Sequence, residues 1–168
     1  MPNPNHLPAG TSKGGQFTSR QLGVVEKAAR VSAGIGPRRL KIKTPLNAYH
    51  ITYSNNVESI KLKGLRPWSE SGTNTAQGDI GEYSIDGVFL ANASQAQIIY
   101  SRMLEESEGS GISIIEAYLP KGTLIFEDKL MPESSIIVKS IPSNHVNEIT
   151  FNQLKNRRDE FENLFGEE

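Results

Sequence analysis

A chain of 168 residues with 36% hydrophobic content, 15 glycines and 9 prolines suits one domain of common size plus some length that does not pack. The absence of cysteine excludes a disulfide framework, a thiolate metal site and a cysteine nucleophile. No apolar run approaches the roughly 20 residues of a membrane span, and the opening MPNPNHLPAG has neither part of a secretory signal, so a soluble cytoplasmic protein with no membrane partner is expected.

The net charge of −1 conceals an asymmetry. Residues 1–45 hold Lys13, Arg20, Lys27, Arg30, Arg38, Arg39, Lys41 and Lys43 against the single acid Glu26, whereas 46–168 are strongly acidic. Opposite signs at the two ends of a chain point to a basic arm or linker over 1–45 and a folded domain over 46–168. The first 18 residues show no hydrophobic period and read as a flexible arm. Leu22, Val25, Ala28 and Ala29 predict a short helix over 21–32, and AGIGPRRLKIKTP (33–45) reads as a basic linker. Such an arm is either a solvated leader or a docking element for nucleic acid or an acidic partner.

From Leu46 the pattern changes. Tyr49, Ile51 and Tyr53 alternate with polar residues in a strand period, and SNNVESIKLKG then reads as a capped helix stopped by Gly64. Residues 67–86 form a long polar loop, a length usually tied to function or mobility. GVFLAN (87–92) predicts a strand and ASQAQIIYSRMLEE (93–106) a helix with Ala96, Ile99, Tyr100 and Met103 on one stripe. Strands follow at 112–119, 123–127 and 134–141, the last ended by Pro142. A closing helix starts at the cap Thr150 and offers Phe151, Leu154, Phe161 and Leu164 for packing. Helices placed early and strands gathered late predict an α+β fold around antiparallel sheets.

No Walker loop, GxGxxG, HExxH or GxSxG motif is present, and His6, His50 and His145 lack metal-ligand spacing. Four segments stand out instead. Tyr49-His50-Ile51-Thr52 lies on the first strand, and Gly64-Leu65-Arg66 places Arg66 sixteen residues after His50. Gly87-Val88-Phe89-Leu90 closes the long loop, and Tyr100 comes eleven residues after Phe89.

Together, over roughly 46–150, these segments resemble the ADP-ribosyltransferase family, in the branch shared by diphtheria toxin and the poly(ADP-ribose) polymerases. The resemblance implies split antiparallel β-sheets with flanking helices and NAD as substrate. His50 would then bond the adenosine ribose, and Thr52 with the backbone of Ile51 the nicotinamide carboxamide. Arg66 would pair with the pyrophosphate. Tyr100 would offer its ring to the nicotinamide, and Phe89 would stand where the family has its first tyrosine. The family's catalytic glutamate, in the form Glu-x-Ile-Val, aligns here with Ser135. Glu133, two residues earlier and about 7 Å along an extended chain, is the expected catalytic acid beside His50 and Phe89, with the strand carboxylates Glu116 and Glu127 as substitutes.

The activity this implies is mono-ADP-ribosyl transfer from NAD to a macromolecular acceptor, protein or nucleic acid. Two other readings stay open: a non-catalytic module binding a nucleotide or partner, and an RNA 2′-phosphotransferase-like enzyme. A second resemblance lies in PAGTSKGGQF (8–17), which is similar to a Gly-Gly-Gln-Phe segment of phage head-associated and phage-borne toxin-like proteins. It implies a phage-encoded modifier of host components acting in the host cytoplasm.

Overall fold

A computed structural model describes residues 38–67, 70, 87–108, 111–128, 131–162 and 164–165. The helix expected over 21–32, the arm up to residue 37 and the loop 67–86, apart from Pro67 and Glu70, lie outside these residues.

The described chain is α+β, as its patterning predicts. Seven strands, β1 (Arg39–Lys41), β2 (Leu46–Tyr53), β3 (Val88–Ala91), β4 (Ile112–Leu119), β5 (Leu124–Glu127), β6 (Ser135–Val138) and β7 (Val146–Ile149), form one sheet in the order β1-β5-β6-β3-β2-β4-β7. Every neighbouring pair is antiparallel. Helices α1 (Val57–Lys63) and α2 (Ala93–Glu106) follow β2 and β3, and the short α3 (Phe151–Lys155) follows β7.

Strand alternation divides the core into two. Leu46 and Ala48 of β2 join Val88, Leu90, Ile125, Ile136 and Val138 with Val57 and Ile60 of α1. Tyr49 and Ile51 face the other way and meet Ala93, Ala96, Tyr100 and Met103 of α2 and Leu154 of α3. The apolar stripe read on 93–106 is therefore the face that covers the sheet.

Helix ends follow local chemistry. Asn92 caps α2 by accepting the Gln95 N–H at 2.8 Å, and Thr150 closes a capping box with Gln153 on α3. Gly64 ends α1 with φ +78°, and a side chain there would run into the carbonyl of Ile141, with which Leu65 forms a bridge.

Three expectations shift. The sequence predicts a basic linker over 33–45, yet Arg39–Lys41 pair with Leu124–Phe126 as β1, because Leu40 and Ile42 bury on the inner face while the cations stay outside. The strand expected over 134–141 is shorter at 135–138, and β7 forms beyond Pro142 where no strand is expected, pairing with β4. The closing helix stops at Lys155; Phe161 is buried all the same, carried in by non-helical chain, a burial worth about 2 kcal/mol.

Candidate active site

The centre of the sheet is nearly severed. β2 pairs with β4 along its whole length, but with β3 at the single position Tyr49↔Ala91. Continuing that register would set Ile51 opposite Phe89, and no ladder pair forms there. The strands thus part between His50–Tyr53 and Val88–Leu90, leaving an edge of β2 without backbone partners in β3. The half-sheets β1-β5-β6-β3 and β2-β4-β7 meet at a seam.

His50 spans that seam: its Nδ1 lies 3.0 Å from the carbonyl oxygen of Phe89. A carbonyl can only accept, so Nδ1 carries the proton and Nε2 presents a lone pair. Burial holds the imidazole below its usual 6.5, the Phe89 carbonyl offsetting part of the effect, so the ring is neutral at pH 7. On the same face of β2, two residues on, Thr52 is buried and its Oγ1 accepts from Asn56 Nδ2 at 3.0 Å. Asn56 occupies one lone pair and does not use the hydroxyl proton of Thr52, which is left to donate.

The other expected residues divide into two groups. The side chains of Phe89 and Ser135 lie on the α2 side of the sheet, because Val88, Leu90 and Ile136 fill the α1 side. Tyr100 is on that side too, stacked on Phe151 with centroids 4.8 Å apart and packed against the core cluster of Tyr49 and Ile51. Ile51 stands between the groups, flanked by His50 and Thr52 along β2. Arg66 is exposed just past Leu65; it donates to the carbonyl of Lys63 at 3.0 Å and pairs with Glu70 at 3.3 Å. Ser135 is buried at the start of β6 opposite Ala91, while Glu133 is exposed in the preceding turn. The structure therefore gathers His50, Thr52 and the Phe89 main chain at the seam. It leaves Arg66 and Glu133 in solvent.

The two substitute carboxylates are engaged elsewhere. Glu116 pairs with Arg157 at 2.7 Å, and Glu127 takes Arg38 in a two-pronged contact at 2.7 and 3.0 Å. Tyr49, opposite Glu116 across the ladder, is kept protonated well above the usual range by burial and by that carboxylate. No cluster of three His, Asp or Glu able to hold a metal occurs among the described residues, and none of their helices is long and apolar enough to cross a membrane.

Sequence reasoning missed Asn56, which orients Thr52, and a strap over 157–161 that stitches the seam at its closed end. Arg157 reaches Glu116 of β4, Asp159 accepts from Ser94 N and Oγ at 2.8 and 2.6 Å, and Glu160 accepts from Asn47 N at 2.8 Å. The Asn56 contact had a local signal in its four-residue spacing from Thr52. The strap had none, since its partners lie 41 to 113 positions away.

Comparison with known proteins finds no matching family model, no matching curated protein and no matching solved structure.

Proposed function

We propose that the protein is a mono-ADP-ribosyltransferase that holds NAD at the β2–β3 seam. The observation that carries this reading is the imidazole across the parted strands: a neutral ring with an accepting Nε2, beside a buried hydroxyl left to donate. An acceptor suits a ribose hydroxyl and a donor suits a carboxamide oxygen. The open edge of β2 at Ile51 adds main-chain groups. Arg66 is held by an exposed ion pair of little intrinsic strength, which a pyrophosphate can displace.

In the reaction the C1′–N bond of NAD breaks, its electron pair leaves with nicotinamide, and positive charge grows on the ribose. That charge calls for a fixed anion beside the sugar. Glu133 is the carboxylate assigned to this task, at the entry to β6. The acceptor's nucleophilic atom then bonds C1′ and loses its proton.

A second reading has its own support. Buried Ser135 at the start of β6, with Glu133 outside in the turn, suits a module that binds a nucleotide without turning it over. Incubation with NAD separates the two. The transferase releases nicotinamide; Glu133→Gln keeps the NAD-induced rise in melting temperature and loses the release, while His50→Ala loses both. Stabilisation without release supports the binding module, and no thermal response to NAD eliminates the pocket.

A further inference from the structure

Alternation along β1 sends Leu40 inward and leaves Arg39 and Lys41 on the outer face, with exposed Lys43 just beyond the strand. The register to β5 sets Arg39 beside Phe126 and Lys41 beside Leu124. Leu124 is 41% exposed and Phe126 half-buried. On the far side of β5, Val138 pairs with Ile125, so the next residue, exposed Lys139, borders Leu124. The result is an apolar pair, Leu124 and Phe126, with Arg39, Lys41 and Lys43 along one side and Lys139 on the other.

None of Arg39, Lys41, Lys43 and Lys139 has an ion-pair partner among the described residues. The acid of β5, Glu127, lies on the inner face with Arg38, Asp128 is buried past the strand end, and β6 carries no acid. In a unit whose residues 46–168 are otherwise acidic, four unpaired cations on one small face form a marked local field. Lysines also guard sheet edges against pairing. That role does not explain Lys139, which follows an interior strand, nor the exposed Leu124 between Lys41 and Lys139.

We propose that the outer face of β1 and β5 binds a single nucleic-acid strand, its phosphates on Arg39, Lys41, Lys43 and Lys139 and its bases over Leu124 and Phe126. A sheet surface combining positive charge with an apolar platform is suited to an unpaired strand, whose bases are free to lie on it. A duplex or an acidic protein would use the charge and leave the platform idle. This site is independent of the NAD reading.

Fluorescence anisotropy of the full chain with a labelled polypyrimidine strand of about 20 nucleotides, longer than usual single-strand site sizes, tests it. Affinity falls linearly on a log–log plot against salt, and Lys41→Gln with Lys139→Gln reduces that slope by about two. Phe126→Ala, which removes the ring on which a base would stack, weakens binding about tenfold or more with the slope unchanged. Circular-dichroism melts establish that each variant folds; if the double variant does not, Lys139→Gln alone carries the test with a slope loss of about one. Wild-type affinity and slope in folded Lys139→Gln overturn the proposal and leave the cations as edge guards. Equal competition by polyglutamate, or equal affinity for a duplex of the same length, also overturns it.

Discussion

His50 and Phe89 lie 39 positions apart in the chain, yet one hydrogen bond from imidazole to carbonyl bridges the strands that carry them, one step past the last ladder pair, Tyr49↔Ala91. A side chain thus holds a junction that backbone bonds elsewhere in the sheet hold unaided.

Burial of that imidazole makes stability pH-dependent in a defined direction, the bond to Phe89 offsetting part of the effect. The folded state keeps His50 neutral, with its pKa lowered by burial, whereas the unfolded chain takes up a proton near 6.5. The contribution is fully present above pH 6.5 and is lost as pH falls through the folded pKa. Urea denaturation across this range should show stability declining as pH falls from 6.5 toward the folded pKa. In His50→Gln, which retains a donor for Phe89, this part of the decline disappears. An identical profile in the variant would mean that His50 titrates alike in both states.

The strap closes the other end of the seam. Asp159 places a carboxylate on the first turn of α2, accepting from both the main chain and the hydroxyl of Ser94. Asp159→Ala should cost about 1–2 kcal/mol, in the range of a lost helix cap with part of a dipole contact. Amide exchange should rise in α2 and at Asn47, both held by the strap, more than in β5. A uniform rise would show that the strap stabilises the fold without guarding the seam.

Gly64 sets the end of α1 and so the position of Arg66. Its φ of +78° with ψ near 180° lies in a region essentially reserved for glycine, and the adjoining carbonyl of Ile141 leaves no room for a side chain. Gly64→Ala should cost at least about 2 kcal/mol and loosen the Leu65–Ile141 bridge, read by chemical denaturation and by exchange at the Leu65 amide. A cost under half that value would mean the turn has room to rearrange.

Much of the local structure was legible because it obeys local rules. The helix 93–106 and the strand 112–119 have the predicted bounds, each written in an uninterrupted period. Thr150 starts its helix as expected. The His50–Thr52 pairing on one face of β2 follows from the two-residue period alone. Strand β1 was hidden, because three residues with two cations resemble a linker until β5 lies beside them.

The sequence by itself determined the α+β class, the early helices and late strands, the split of charge between the ends, and the alternation of faces along β2. All of these depend on neighbours a few residues away. Only the tertiary structure decided the strand order, the parting of β2 from β3, the engagement of Glu116 and Glu127 by distant arginines, and the strap that ties β2 and β4 to the start of α2. Those features join segments tens of residues apart, where pairing is selected by the packing of a whole core and no local period records it.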